Sequence, residues 1–354
     1  RLWKQSSGLM ARSVTQNAGD HGEHYITRDK KEYWAMFYSA AGGGVLIALM
    51  ALFKTYLGSI IDDKVWKGLA EGLNYGFGFM VIFMLHFTVA TKQPAMTAAR
   101  FAEAVEKNPQ GKTLNMKLAQ LLVDVFRSQS VAVLGNVVVA MGLAALIAFV
   151  YQHQTGEPLM NSEKIAYQLH RIDPLDGSLW FAAIAGVWLF CSGIISGYFD
   201  NRSNYLNMRM RLAQHPLLKK LMSEKSRVKF ANYMHENYGS LIGNFCFGML
   251  LGLTGLVGYL THLPLDIRHV AFSSANLGYS AVSGQFAYPF FLQCIAFVLL
   301  IGLVNLMVSF SLTLWVALRS LNTEIDSWWA IWHEVCQIVR KRPLSLFLPV
   351  QLDK

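Results

Sequence analysis

Six apolar stretches, each about twenty residues long, are the feature that most constrains how this chain folds. A bilayer core about 30 Å thick needs roughly 20 apolar residues per helix. Charged residues make up only 15% of the chain, whereas a soluble domain usually carries about 25%. The sequence therefore predicts an all-α polytopic transmembrane helix bundle with about six spans, at about 33–53, 72–90, 131–151, 178–199, 241–263 and 288–318.

The basic residues alternate between the connections. Of the 31 Lys and Arg residues, 25 fall in segments 1–32, 91–128, 200–240 and 319–354, and the other connections hold six. Connections rich in Lys and Arg stay in the cytoplasm. The sequence thus predicts a membrane bundle at 33–318 with both termini cytoplasmic. The net charge of +9 then reflects topology and attraction to membrane lipids, and no nucleic-acid partner is expected.

The segment 264–287, between the fifth and sixth spans, reads PLDIRHVAFSSANLGYSAVSGQFA. It is apolar enough to touch the bilayer but too interrupted to cross it. Irregular backbone at membrane depth is tolerated only where protein or water surrounds it. We therefore expect a re-entrant or interfacial hairpin. If 265–276 is helical, Asp266, His269 and Asn276 share one face.

Four polar residues of this hairpin are the main candidates for a binding site: Asp266, Arg268, His269 and Asn276. In a stretch otherwise fit for hydrocarbon, such groups are costly unless they satisfy one another, a ligand or water. Helical spacing lets His269 share a hydrogen bond with Asp266, and Arg268 has either Asp266 or a lipid phosphate as its partner. The cluster is accordingly either a structural tie or a ligand site.

His86 is a fifth candidate, because it is the only histidine well inside a predicted span. It is either a hydrogen-bonded structural residue or a proton relay. Haem ligation usually needs a second axial ligand at the same depth, and none is evident, so no cofactor is predicted. Four further polar residues in the spans must each find a partner: Asn136, Asn244, Gln293 and Asn305.

No metal site is predicted either. The four cysteines form no CxxC pair, which argues against a zinc site built on cysteine. His21 and His24 lie three residues apart, a spacing compatible with a shared zinc ion. A polar turn ahead of the first span explains the same pattern.

Two stretches on the predicted cytoplasmic side, 97–107 and 113–126, carry apolar residues at helical spacing. Such amphipathic helices either lie on the inner leaflet or cap the bundle. Small residues also recur at helical spacing in the fourth and fifth spans, including Gly186, Gly248 and Gly252. They predict close helix packing there.

Five strings distributed along the chain are long and unusual: GEHYITRDKKEY, LHFTVATKQPAMTAAR, GVWLFCSGIISGYFDNR, GNFCFGMLLG and PLDIRHVAFSSANLGY. Together they resemble the bacterial membrane family labelled site-specific recombinase, Gcr type. The resemblance runs through most of the chain. It implies a bacterial inner-membrane protein about twice this length, in which a helical soluble region precedes this membrane half and is its expected partner.

The family label implies DNA strand exchange, whereas the residue patterns indicate no such chemistry. A tyrosine recombinase needs a nucleophilic Tyr with an Arg/His cluster, and a serine recombinase needs an activated Ser surrounded by Arg. Both need a basic platform for duplex DNA. This sequence has no HxxR string and scatters Arg and His among its loops. The residues therefore favour a protein that is not an enzyme.

Three functions follow from these patterns. The first is membrane-embedded binding or transport of a lipid or small amphiphile, lined by the hairpin and the in-membrane Asn and His residues. The second is a structural or scaffolding role for a soluble partner, its own N-terminal region or an oligomer. The third is site-specific recombination. An enclosed polar cavity favours the first, a tightly packed bundle with an apolar lateral patch the second, and a basic groove with a Tyr or Ser nucleophile the third.

The charge asymmetry makes the topology testable. Single cysteines near 60–65, 160–170 and 266–284 should react with an impermeant maleimide added outside, because these connections are predicted to be extracytoplasmic. Cysteines within 200–240 should react only after permeabilisation. Cytoplasmic labelling of two of the three outer connections would contradict this topology.

Overall fold

A computed structural model gives the fold and describes residues 26–27, 29–89, 93–107, 112–321 and 325–348. Every regular element in these residues is helical, and two short 3-10 turns follow α5 and α12. In chain order the helices are α1 (Lys30–Ile60), α2 (Lys64–Met84), α3 (Gln93–Lys107), α4 (Lys112–Thr155), α5 (Ser162–Ile172), α6 (Ser178–Tyr205), α7 (Met208–Gln214), α8 (Pro216–Leu221), α9 (Glu224–Thr261), α10 (Val270–Ser283), α11 (Tyr288–Ser320) and α12 (Trp328–Lys341).

Five of these helices, α1, α4, α6, α9 and α11, are long and apolar enough to cross a membrane. The remaining predicted span, the second, corresponds to α2, which has 21 residues. At 1.5 Å per residue it is about 31 Å long, the thickness of a bilayer core. Its first half contains Lys64, Lys67 and Glu71, and α2 is not among the five. The prediction of an all-α membrane bundle with about six spans is confirmed.

A glycine contact between α2 and α9 fixes the second span in the bundle. A Cβ atom on Gly248 would collide with the backbone of Tyr75 and Gly76, and one on Gly252 with the backbone of Gly72. This pairing order shows that the two helices run antiparallel with their backbones in contact. Lipid provides no hydrophobic drive for helix association, so this close van der Waals contact holds the pair together. The packing predicted for the fifth span is confirmed.

Two asparagines that were predicted to need hydrogen-bond partners connect separate helices. Asn136 of α4 donates hydrogen bonds to the carbonyl oxygens of Ala40 on α1 and of Thr88, the latter at 2.9 Å. Asn305 of α11 donates to the carbonyl oxygen of Ala182 on α6 at 2.7 Å. Hydrogen bonds to these carbonyl oxygens offset the free-energy cost of burying the two amide groups.

The segment that enters α10 differs from the predicted helix over 265–276. Residues 264–269 are extended, and the helix begins at Val270. Asp266 explains the difference, because its carboxylate accepts a hydrogen bond from the N–H of Ile267 at 2.7 Å. Local side-chain bonds of this kind compete with helix formation.

Helix α10 lies inside the bundle rather than along a membrane surface. It packs against α4, α11, α1 and α5. Tyr279, fully buried, donates a 2.9 Å hydrogen bond to the carbonyl oxygen of Ala48 on α1. Protein therefore surrounds the backbone of this helix on several sides, which is the condition for irregular backbone beside it to lie at membrane depth.

Two other predicted boundaries are wrong. The stretch 113–126 is the first part of the 44-residue helix α4, because neither Gly nor Pro interrupts the sequence there. The second span was placed at 72–90, but α2 runs from Lys64 to Met84 and a turn follows it.

A second apolar core lies at the end of the bundle where α11 ends. It is formed by α3, the first part of α4, the end of α11 and α12, and its buried members include Phe101, Val105, Leu118, Leu314, Ile331 and Val335. Here α3 covers the bundle, so capping is the alternative that the structure supports for 97–107. Arg127 also lies at this end, buried, and donates hydrogen bonds to the carbonyl oxygens of Thr27 at 2.6 Å and Ser345 at 3.3 Å.

Candidate functional site

A cavity of about 510 Å³ lies at the opposite end of the bundle, where α1 ends and α2 begins. Helices α1, α2, α5 and α9 frame it, together with the extended segment 264–269 and one residue of α10, Asn276. A volume of this size matches the clefts that hold small ligands in other proteins. We call it the basic cavity.

The basic cavity gathers all six Lys and Arg residues that the sequence places on the side with few basic residues. Five line it directly, and Arg268 lines a narrow extension of about 20 Å³ behind it. Only two carboxylates line the main cavity, Glu71 and Asp266. The five lining cations are Lys54, Lys64, Lys67, Lys164 and Arg171.

Both carboxylates are engaged by cations. Lys54 Nζ lies 3.1 Å from Glu71 Oε2, joining α1 to α2. Asp266 Oδ2 lies 2.6 Å from Arg268 Nη1 and 3.2 Å from Arg171 Nη1. One carboxylate thus bridges two guanidinium groups, and the charge-assisted hydrogen bonds are of the stronger class.

The two arginines are held in place by further hydrogen bonds. Arg171 donates to the hydroxyl oxygen of Tyr167 at 2.8 Å and to the carbonyl oxygen of Ile267 at 3.2 Å. Arg268 Nε donates to the carbonyl oxygen of Arg171 at 2.7 Å, and Asn305 donates to the carbonyl oxygen of Arg268 at 2.9 Å. This network links α5 and the extended segment to α11.

The charge state of Asp266 follows from its neighbours. Burial alone would raise the pKa of this carboxyl, but Arg171 and Arg268 outweigh it and lower the pKa to about 2. Burial also opposes the charge on Arg171, yet the pKa of that guanidinium is raised by Asp266 and Tyr167. The carboxylate therefore remains ionised throughout the physiological pH range.

Three lysines of the cavity have no carboxylate partner among the described residues. The ion pairs of the site use Lys54, Arg171 and Arg268, which leaves Lys64, Lys67 and Lys164. Lys64 Nζ lies 4.0 Å from the centre of the Tyr259 ring, a cation–π contact.

Three other carboxylates at this end bind groups other than the three lysines. Asp63 caps α2 by accepting hydrogen bonds from the N–H groups of Val65 and Trp66. Asp173 caps a 3-10 turn, and Asp176 pairs with His170. These three carboxylates thus serve as helix caps or pair with a surface histidine. The cavity lining itself holds five cations and two carboxylates, which favours a positive potential there.

One wall of the basic cavity is apolar. It is formed mainly by α9, whose Gly252 and Gly255 leave room beside the larger side chains. Apolar surface beside a cluster of cations is the combination that an anionic amphiphile requires. The apolar lining consists of Met160, Leu251, Leu256, Tyr259, Leu265 and Ile267.

A sequence model described as site-specific recombinase matches residues 1–349. The chain belongs to that family. No curated protein and no solved structure matches it. The resemblance seen in the five sequence strings is thereby confirmed.

In this member of the site-specific recombinase family, the four hairpin candidates lie near one another. Asp266 and Asn276 line the basic cavity, and Arg268 lines its narrow extension together with Asn276. His269 also borders the extension, but its ring packs among Phe79, Phe247 and Phe272, with centroids 5.8–6.2 Å apart. The predicted hydrogen bond between His269 and Asp266 depended on a helix at 265–276, and the extended backbone removes that geometry.

His86 lies elsewhere. It follows the end of α2 in a turn with a left-handed φ of 58°, and it is exposed. Its carbonyl oxygen accepts a hydrogen bond from Ser39 Oγ at 3.0 Å. The cavity borders the start of α2, about 30 Å away along a helix of this length, so the structure does not bring His86 to the site. His86 thus follows α2 and is not part of that helix.

In the part of the chain that the structure describes, no three His, Cys, Asp or Glu side chains form a group that could hold a metal ion. His21 and His24 lie outside the described residues.

Sequence reasoning missed the cavity lysines and Arg171. It counted them only as the minority charges of the predicted extracytoplasmic side. The sequence does show that the few basic residues of this side lie in three different connections. Whether they meet depends on how α1, α2 and α5 pack, which the sequence alone does not reveal.

The bridging role of Asp266 predicts the effect of its removal. Asp266→Asn should destabilise the protein by roughly 2–3 kcal/mol, because two buried guanidinium groups lose their carboxylate; its side chain is 30% exposed, which places the effect below that of a fully buried pair. Thermal unfolding in detergent measures this. Asp62→Asn, an exposed carboxylate at the same end, should change little.

The stabilisation from Asp266 should also depend on pH in a defined direction. The folded-state pKa of about 2 lies below the ordinary value of 3.8, so the contribution is fully present above about pH 4 and is lost as pH falls toward 2. Equal stability of the wild type and Asp266→Asn at neutral pH would contradict the bridging role.

Proposed function

We propose that this family member binds an anionic amphiphile, a lipid or a small molecule with an acidic headgroup, in the basic cavity on the extracytoplasmic side of the bacterial inner membrane. One observation carries the proposal. Six basic residues from four separate segments converge on one cavity that contains two carboxylates. Gathering like charges costs energy unless an anion compensates them.

The headgroup position is supported by the three lysines without a described carboxylate partner. Lys64 and Lys67 come from α2 and Lys164 from α5, so they flank the cavity from two helices. Phosphate and carboxylate groups accept charge-assisted hydrogen bonds from lysine. The apolar wall of α9 then receives the hydrophobic part of the ligand.

The sidedness rests on the distribution of charge. The sequence segments 1–32, 91–128, 200–240 and 319–354 hold 25 of the 31 basic residues, which favours a cytoplasmic location for the end that contains Arg127. The basic cavity lies at the other end. Both termini are cytoplasmic in this proposal.

Binding, rather than transport, is the activity that the cavity supports. Its extension toward His269, Ser273 and Asn276 has a volume of only about 20 Å³, which is enough for about one water molecule. A lipid headgroup cannot follow that route without a change of conformation.

The lysines provide the test. Replacing Lys64, Lys67 and Lys164 by Gln should weaken binding of dioctanoyl phosphatidylglycerol at least about tenfold, since each basic residue near an anionic headgroup contributes about 1 kcal/mol. Binding is measured as the shift of the thermal unfolding midpoint with lipid concentration. Dioctanoyl phosphatidylcholine tests whether the negative charge matters, and inorganic phosphate tests whether the apolar part matters.

The matched control replaces Lys219, Lys220 and Lys225 by Gln. These three lysines are exposed and lie on α8 and α9 at the other end, so the change in net charge is the same. Equal loss of affinity in both triple variants would mean that nonspecific charge attraction explains the binding. Unchanged affinity in the cavity variant would favour a structural or scaffolding role.

Site-specific recombination is the second candidate, and the family description favours it. The absence of an HxxR string from the sequence leads us to expect no strand cleavage or exchange by this chain. Incubating the reconstituted protein with a supercoiled plasmid that carries candidate sites is the test. A recombinant product that a single Tyr or Ser substitution abolishes would establish recombination instead.

A further inference from the structure

Helix α12 has two apolar faces, and the bundle covers only one. Ile331 and Val335 are buried in the core formed with α4 and α11. On another face, Trp329 is 82% exposed and Trp332 is 56% exposed, and the exposed Cys336 continues the same stripe. An exposed apolar stripe of this kind marks a surface that contacts something other than water.

The exposed stripe lies next to the end of a membrane span. Ile331 belongs to the same buried cluster as Leu314 and Ala317 of α11. At this level of α11, Trp315 is 60% exposed, and the guanidinium carbon of Arg319 lies 5.6 Å from its ring centre. Tryptophan and arginine at the end of a span are typical of headgroup depth, so α12 lies close to that depth.

The charge of α12 matches an anionic surface. Its last turn contains Arg340 and Lys341 and is followed by Arg342. The chain then continues with exposed apolar residues, and the hydrogen bond from Arg127 to the carbonyl oxygen of Ser345 holds this continuation against the bundle. These exposed residues are Leu344, Phe347 and Leu348.

We propose that α12 is an interfacial helix that inserts Trp329 and Trp332 into the cytoplasmic leaflet and binds anionic phospholipids through Arg340, Lys341 and Arg342. Interfacial helices combine an apolar aromatic face with basic residues in this way. The proposal concerns the end of the bundle opposite the basic cavity, so it stands independently of ligand binding there.

Cys336 allows a direct test, because it lies on the exposed stripe. In a Cys191→Ala, Cys246→Ala, Cys294→Ala background, Cys336 is labelled with an environment-sensitive fluorophore and the protein is reconstituted in nanodiscs of phosphatidylcholine with phosphatidylglycerol. We expect quenching by lipids that carry a nitroxide near the headgroup. Quenching by aqueous iodide should be at least about threefold weaker than for a probe on a solvated helix surface.

The control probe is placed by Ser226→Cys in a background without the four native cysteines. Ser226 is exposed on α9 at the same end of the bundle. Trp329→Ser with Trp332→Ser should raise iodide quenching of the Cys336 probe toward the control value. Replacing Arg340, Lys341 and Arg342 by Gln should remove the dependence on phosphatidylglycerol.

Three outcomes would overturn the proposal. Iodide quenching of the Cys336 probe equal to the control would show that the stripe faces water. Protection from both iodide and lipid nitroxide would show that a protein surface covers it, either the region that precedes this chain or a second copy. If lipid quenching persists in the double tryptophan variant, then the buried packing of α12 sets its depth and the two tryptophans do not.

Discussion

The cavity end of the bundle depends on the ion pairs that the Asp266 carboxylate forms with Arg171 and Arg268. This carboxylate compensates two guanidinium groups that the fold removes from most of their water, one on α5 and one on the extended segment. Desolvating an ion costs several kcal/mol, and the attraction between partners repays that cost only when their geometry is good and other hydrogen bonds are satisfied. Here Tyr167, backbone carbonyl groups and Asn305 complete the network. The entry into α10 is fixed as a consequence.

The positive potential of the basic cavity arises from arrangement more than from composition. Carboxylates are present at the same end, but Asp63 and Asp173 are used as caps at helix starts. Neither of these two carboxylates lines the cavity. The cations line the same cavity as the apolar residues of α9, and charges beside apolar surface are screened less than in water. An anionic headgroup gains from both conditions.

The sequence predicted the helical class and most spans, because run length and charge asymmetry are local properties. It also identified Asn136 and Asn305 as groups that need partners, and each has them. The prediction of a helix over 265–276 is wrong for its first residues, because the Asp266 carboxylate accepts a hydrogen bond from the neighbouring N–H of Ile267. Helical spacing in the sequence does not reveal this hydrogen bond. Lys54 and Lys164 reach one cavity from helices about a hundred residues apart in sequence, and such convergence is a property of tertiary packing.

Family membership and the basic cavity address different questions. A shared family establishes common descent, whereas activity must be argued from the groups that a site brings together. In the proposed topology the cavity opens away from the cytoplasm, so chromosomal DNA meets only the end that carries α3, α12 and the long basic loops. Duplex DNA binding requires a continuous basic surface that neutralises several phosphates. At that end the described apolar stripe of Trp329 and Trp332 lies beside Arg340 and Lys341, a combination that suits a lipid headgroup layer better than a DNA backbone.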